Sequence, residues 1–186
     1  KALCRQAHTL VIFKSLHEVP VFEKLLETLA VCESDSDMAI EKYSDFVAEL
    51  FAYSDNLTEY MLKLVLENEN LFMLKKGEGK ETGALLEECL ANELAVIEEL
   101  SQIPSDEIIS KIDYDGFLPR YATQKLDFSQ IYADRIHAIG QYGYGIYSQY
   151  HVFVIKDGKI VPVEYPDDIK LSDLHNYERE RQEVIN

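Results

Sequence analysis

The cysteine and histidine residues near the start of this chain are its first candidates for metal binding or catalysis. Cys4 and His8 are four residues apart, so on a helix they would share one face and supply half of a zinc site. A complete zinc site needs three or four ligands, and His17, Cys32 and Cys89 show no paired spacing that would add them. We therefore expect no metal site, with Cys4 a small core residue and His8 a surface imidazole.

A nucleophilic cysteine is the second chemistry that these residues allow. A reactive thiolate needs a base or a positive charge beside it, and the spacing favours none of the three cysteines. The chain has no Gly-x-Ser-x-Gly elbow and no His-Glu-x-x-His motif. Acidic pairs on the predicted helices are interpreted as solvated faces. We expect no catalytic residue within this chain. An enzyme with an unrecognised cysteine or acidic site is the interpretation that the residues favour least, and it ranks third.

A polar loop at residues 75–82 contains part of a phosphate-binding pattern. Gly79 and Lys80 are followed by Glu81, where a phosphate-binding loop has the Ser or Thr that holds Mg²⁺. Leu74 also stands where the first glycine of that pattern belongs. The segment therefore predicts an ordinary loop, and no ATP or Mg²⁺ site is expected in this chain.

A second glycine-containing segment, residues 140–147, is rich in tyrosine. Its glycines follow the reverse of the dinucleotide-binding order, and no strand is predicted before it. The glycines permit a tight turn in which the tyrosines pack against neighbouring elements, or in which they form a recognition surface. Because Tyr and Arg are enriched at binding hot spots, the partner-binding candidates are Arg135, His137, Tyr142, Tyr144, Tyr147 and Tyr150.

The charge of the chain restricts the classes of partner. The formal net charge is −16 over 186 residues, with 10 basic and 22 acidic side chains in residues 1–112. A field of that sign repels phosphate backbones and anionic lipid, and no basic run offsets it, so neither nucleic acid nor a membrane is expected as a partner. Three cysteines, no signal peptide and no apolar run of about 20 residues predict a cytoplasmic protein with reduced thiols.

Hydrophobic periodicity predicts helices through most of residues 1–112. One apolar stripe follows Pro20, which suits a first helical turn; a second follows possible caps at Ser34, Asp35 and Ser36; a third follows Asn56. A fourth stripe is flanked by acidic residues that are assigned to its solvent face. The four stripes are Val21, Phe22, Leu25, Leu26 and Leu29; Tyr43, Phe46, Val47, Leu50 and Phe51; Leu57, Tyr60, Met61, Leu64 and Val65; and Leu86, Leu90, Leu94 and Ile97. The acidic residues on the solvent-facing side of the fourth are Glu87, Glu88, Glu93, Glu98 and Glu99.

The helical pattern changes after residue 112. Ser105 is predicted to cap a short helix that runs to Ile112, and the turn residues around Gly116 end it. Residues 127–139 predict one more helix. Residues 151–155 and 160–164 flank Asp157-Gly158, a strong β-hairpin signal, and Pro162 places the second strand at a sheet edge. The predicted fold is mainly α, a bundle of about five to seven helices with a small C-terminal β-hairpin.

The last residues carry a resemblance to a known class of proteins. Residues 171–186 resemble the start of the nucleotide-binding module of AAA-type ATPases, in which a turn precedes a charged helix. With residues 143–147, 151–155 and 161–166, the chain is similar to an uncharacterised bacterial family of AAA-like, P-loop ATP-binding proteins. The resemblance implies that Asp173, Leu174, His175 and Asn176 form the turn beside the adenine. His175 and Asn176 depart from the usual small apolar residue and Gly, and a simple helix-capping turn is the alternative.

The resemblance also implies how the chain is organised. Residues 1–112 would be an acidic helical domain, residues 113–170 a joining segment with the Gly/Tyr loop and the hairpin, and residues 171–186 the truncated start of the ATPase module. The function expected is that of an N-terminal accessory region that docks a protein partner or substrate. ATP, Mg²⁺ and oligomerisation would belong to the longer protein. The alternative is a stand-alone acidic helical protein-interaction domain.

Overall fold

The computed structural model describes residues 2–142, 153–156 and 159–162, and the side chains of residues 2–137. Its described part is mainly helical, which confirms the mainly α class, and it contains eight α-helices where the sequence predicts about five to seven. The α-helices within the described residues are α1 (Ala2–Ala7), α2 (Pro20–Val31), α3 (Ser36–Phe51), α4 (Leu57–Glu67), α5 (Leu71–Gly77), α6 (Ala84–Ser101), α7 (Ser105–Ile109) and α8 (Phe128–Tyr142), and a 3-10 helix spans Lys14–Glu18.

Local start signals position the long helices where the sequence predicts them. α2 begins at Pro20, whose missing N–H costs nothing at a first helical position. α3 is capped by Asp35, which accepts a hydrogen bond from the Met38 N–H, and α4 is capped by Asn56 in the same way. These caps satisfy backbone donors that have no partner inside the helix. The α2, α3 and α4 predictions are therefore confirmed.

Three of the finer predictions are wrong. Phe51 is 48% exposed, because it lies at the edge of the α3 stripe and ends the helix. Ser105 is the first residue of α7 rather than its cap; its hydroxyl donates to the Tyr121 carbonyl, and α7 ends at Ile109 and not at Ile112. α8 extends to Tyr142, so Gly140 lies in a helix and not in a loop.

The structure also contains α1 and α5, which are too short to show a full apolar period in the sequence.

One compact unit spans Lys1–Gly145. In its core α2 packs on α3, and α3 contacts the irregular segment 113–127: Phe46 meets Tyr121 edge to face, and the Tyr43 hydroxyl donates to the Pro119 carbonyl at 2.6 Å. Within this unit, residues 113–142 therefore pack on the helices that precede them. The division into three parts that the sequence predicts stays a prediction.

A second unit spans Ile146–Asn186. Its described residues are two strands, β1 (Phe153–Lys156) and β2 (Lys159–Pro162), paired antiparallel with Phe153 opposite Pro162 and Lys156 opposite Lys159. The turn residues 157–158 lie outside the described residues, and the predicted hairpin stays a prediction. Among the described helices, none combines the length and the apolar character needed to cross a membrane.

Candidate functional site

A groove of about 410 Å³ between α5, α6 and α8 is the feature of the first unit that best fits a binding site. Phe72 from α5, Leu94 from α6 and Tyr132 from α8 form its floor, and all three are buried. Such a volume, with mostly apolar walls and a few polar groups, lies within the range of binding pockets, about 300 to 1,000 Å³. The half-buried Leu90 and Ile136, which also line the groove, offer apolar surface to a ligand or a partner.

The floor of the groove is fixed by hydrogen bonds beneath it. Asn70 caps α5 by accepting from the Met73 N–H, and its side-chain amide donates to the Tyr132 hydroxyl at 3.1 Å. Phe13 meets the Tyr132 ring edge to face, with ring centroids 5.7 Å apart. Burial raises the pKa of Tyr132 to about 12, so its hydroxyl remains a neutral donor and acceptor below that pH.

α6 and α8 form the two walls of the groove. The Phe128 N–H, at the start of α8, donates to the Glu98 carboxylate near the end of α6 at 2.8 Å. Residues near the other end of α8, Ile136 and His137, line the groove together with Glu87 from the start of α6. α8 therefore runs back along α6, and the groove follows both helices. Its wall residues include the small side chains of Ala91, Ser129 and Ala133, all exposed.

One end of the groove carries charge. Lys76 lies 3.6 Å from the Glu87 carboxylate and its ammonium lies over the Phe72 ring, 5.5 Å from the centroid. The Thr82 hydroxyl donates to Glu87 at 2.7 Å. This hydrogen bond and then the Lys76 charge lower the pKa of Glu87, which stays ionised at neutral pH. The charges of Lys76 and Glu87 therefore compensate each other, and the groove interior is close to neutral.

The structure assigns places to some of the partner-binding candidates. Arg135 and His137 both lie on α8; His137 is exposed and lines the groove, and Arg135 is half-buried. Tyr142 is the last residue of α8. The side chain of Tyr142, and all of Tyr144, Tyr147 and Tyr150, lie outside the described residues. The proposed adenine-side turn, Asp173, Leu174, His175 and Asn176, also lies outside them. The contact roles of these residues therefore stay predictions.

A second pocket, of about 450 Å³, contains two of the three cysteines. Cys4 on α1 and Cys32 after α2 are both buried, and desolvation raises the pKa of each thiol. His8 does not complete a site with Cys4: it stacks on His17 with ring centroids 5.5 Å apart, while the His17 Nε2 lies 3.0 Å from the Ala7 carbonyl oxygen. No group of three or more metal-binding side chains occurs in the part of the chain that the structure describes.

Glu93 is the main polar residue that the sequence misplaced. The sequence predicts that Glu93 lies on the solvent face of α6, but it is buried and its carboxylate accepts hydrogen bonds from the backbone N–H groups of Val11, Ile12 and Phe13. Three successive N–H groups that converge on one anion form a nest. The signal in the sequence is its position: Glu93 precedes the core residue Leu94 on the inner side of the helix.

Comparisons with known proteins give no relative for this chain. No protein-family model matches it, no curated protein is significantly similar to it, and no solved structure matches its fold significantly. The family resemblance of the last residues therefore stays an interpretation of the sequence alone.

Proposed function

We propose that this chain is a protein-interaction module and that the groove between α5, α6 and α8 is its docking surface. The observation that carries this proposal is the groove itself: above its buried floor, the half-buried Leu90 and Ile136 and the exposed Ala91 and Ala133 leave apolar surface uncovered. Exposed apolar surface of this kind costs free energy unless a ligand or a partner covers it. None of the described residues around it forms a set of nucleophile, base and oxyanion donors, and a docking role fits better.

The test uses substitutions that fill the groove with longer, uncharged side chains. Ala91→Gln with Ala133→Gln places two longer side chains on the walls, and Ala48→Gln makes the same change on the exposed face of α3. All three positions are exposed and helical, so each change should alter the unfolding free energy by at most about 0.5 kcal/mol. Proteins crosslinked to the wild-type chain and to the Ala48→Gln control should be lost from the groove variant. Identical capture by all three chains would rule out the groove as the docking surface.

The further proposal is that this module is the N-terminal accessory region of an AAA-like ATPase of bacterial origin, located in the cytoplasm. Its support is the resemblance of residues 171–186 to the start of an ATPase module. In that case the native reading frame continues beyond codon 186 to a Gly-x-x-x-x-Gly-Lys-Ser/Thr loop. The longer protein would then bind ATP with Mg²⁺, while residues 1–186 alone would not. A stop codon close after Asn186 would leave only the stand-alone interaction module.

A further inference from the structure

A short loop after α7, residues 113–117, presents two aromatic side chains to solvent. Phe117 is 83% exposed, the highest value among the large hydrophobic residues that the structure describes, and Tyr114 is 46% exposed. Ile112 and Leu118, on either side of the loop, are buried, so the chain leaves the core at one and returns at the other. Where it stands, the Phe117 ring contributes little to the fold, and a partner that covered it would gain from its burial.

Contacts within and beside the 113–117 loop fix its shape. The Tyr114 N–H donates to the Ile112 carbonyl at 2.9 Å. The tip of the Tyr114 ring lies so close to Gly116 that a Cβ at residue 116 would collide with it. Just beyond the loop, the Pro119 carbonyl accepts the hydrogen bond of the buried Tyr43. A loop held in this way loses little conformational entropy when it binds.

The charge of the loop is negative and uncompensated. Asp113 and Asp115 lie on either side of Tyr114, both are exposed, and neither forms an ion pair with another described residue. The nearest cations along the chain, Lys111 and Arg120, pair with carboxylates of α7 instead. The net charge of −16 also steers cationic groups towards the chain. A partner that carries positive charge therefore complements this loop.

A guanidinium group satisfies both the rings and the carboxylates. It is planar, it stacks on aromatic faces, and its N–H groups donate in pairs to a carboxylate. We propose that the 113–117 loop binds an arginine-rich segment of a protein partner. The guanidinium groups stack on Phe117 and Tyr114 and pair with Asp113 and Asp115. None of these residues lines the groove between α5, α6 and α8, so this surface is independent of the groove.

Two peptides of equal charge test this inference on the full chain. One is rich in arginine with Gly and Ser spacers, and the other has lysine at every arginine position. Fluorescence anisotropy should show several-fold tighter binding of the arginine peptide, because an ammonium group neither stacks flat nor forms paired hydrogen bonds. Phe117→Leu keeps an apolar side chain but removes the ring, and it should weaken binding of the arginine peptide about 2- to 5-fold. Asp113→Asn with Asp115→Asn should weaken it about 3- to 10-fold.

Matched variants control for exposed aromatic surface and for net charge. Tyr53 is 62% exposed, but its ring stacks on Tyr60, so Tyr53→Ala should leave the affinity for the arginine peptide unchanged. Asp37→Asn with Glu41→Gln removes two charges from exposed positions of α3 and should also leave it nearly unchanged. All of the substituted positions are exposed, so the variants should keep the stability of the wild type.

The remaining outcomes each overturn the inference. Equal affinity for the two peptides, or an equal loss in the α3 charge variant, would mean that net charge alone attracts them. Full affinity of Phe117→Leu would exclude the ring from the site. Self-association of the chain that Phe117→Ala abolishes would identify a second copy as the occupant. The Ala91→Gln, Ala133→Gln variant should bind the arginine peptide like the wild type, so the loop and the groove can fail separately.

Discussion

Both carboxylate oxygens of Glu93 accept a hydrogen bond from the Ile12 N–H, at 3.1 and 3.0 Å from the Ile12 nitrogen. The two residues are 81 positions apart in the chain. The neighbouring N–H groups of Val11 and Phe13 donate to the same carboxylate at 2.8 and 3.0 Å. Glu93 therefore fixes the turn that leads from α1 to the 3-10 helix against the middle of α6.

Replacing Glu93 should cost a large part of the stability of the first unit. In Glu93→Gln one amide –NH₂ faces N–H donors instead of an acceptor, and the charge of the acceptor is lost. We expect the free energy of unfolding to fall by about 3 kcal/mol, because hydrogen bonds to charged groups contribute about 1.5 to 3 kcal/mol and unpaired buried donors add a penalty. Urea denaturation followed by circular dichroism measures this difference.

Two comparisons separate the nest from a general effect of charge. Glu88→Gln removes one negative charge from the exposed face of the same helix and should change stability by at most about 0.5 kcal/mol. Formate should restore part of the stability of Glu93→Ala, and more than the same concentration restores to Glu88→Ala, because only the former has a vacant nest. A loss in Glu93→Gln no larger than in Glu88→Gln would mean that the nest is energetically unimportant.

Thr58 joins three parts of the first unit through one hydroxyl. Its Oγ1 donates to the Ser101 carbonyl at 2.8 Å and accepts from the Gln124 N–H at 3.1 Å, and the residue is buried. Thr58→Val keeps the shape but leaves both backbone groups unpaired, so we expect the free energy of unfolding to fall by about 2 kcal/mol. Thr9→Val, at an exposed position with only a local hydrogen bond, is the matched control. Equal effects of the two substitutions in urea denaturation would contradict this role.

The comparison of Asn56 with Glu93 shows which features a sequence can predict. Asn56 caps α4 through the N–H of Glu59, three residues away, so the signal and its effect lie in one short segment. The same holds for Pro20 at the start of α2. Glu93 looks like a solvated residue because its partners are at Ile12 and its neighbours, and no local pattern specifies a contact over that separation. The apolar stripes therefore predicted the long helices, while the buried polar contacts became visible only in the fold.

The groove illustrates the same limit for the candidate site. The aromatic residues near His137 make it a candidate in the sequence, and its side chain lines the groove, while its contact with a partner stays a prediction. Nothing in the sequence marks Ala91 or Ala133, because alanine is common in helices and these two matter only through the helix opposite each of them. Their contribution depends on the antiparallel course of α6 and α8, which the sequence of either helix does not specify.

Tyr144 and Tyr147 provide a prediction that is independent of the groove. If these tyrosines are contact residues, replacing both by Ala should weaken the capture of a crosslinked partner, while the melting temperature hardly changes. Tyr53→Ala, at a position that is 62% exposed, is the control for loss of a surface tyrosine. Parallel crosslinking and thermal unfolding measure both quantities. A large decrease in melting temperature would assign Tyr144 and Tyr147 to packing.

Alkaline pH should destabilise the first unit through Tyr132. Burial raises its pKa to about 12 in the fold, whereas a tyrosine in the unfolded chain has a pKa of about 10. The fold therefore favours the neutral phenol. The resulting stabilisation is complete below pH 10 and is lost as the pH rises towards 12, at a slope of about 1.4 kcal/mol per pH unit for one proton.

The variant Tyr132→Phe isolates this contribution. Burial also raises the pKa of Tyr43 and Tyr121, but both are present in the variant and in the wild type, so the difference between the two proteins reports on Tyr132. At neutral pH the variant should be less stable by about 1 kcal/mol, since the hydrogen bond between Tyr132 and Asn70 is lost. Between pH 10 and 12 the free energy of unfolding of the variant should fall less steeply than that of the wild type. The difference in slope should be about 1.4 kcal/mol per pH unit, as for one proton, so the two curves converge. Urea midpoints measured at intervals across that range, with Tyr114→Phe at a 46% exposed position as control, give the comparison. Parallel curves for Tyr132→Phe and the wild type would mean that the Tyr132 phenol ionises in the fold as readily as in the unfolded chain.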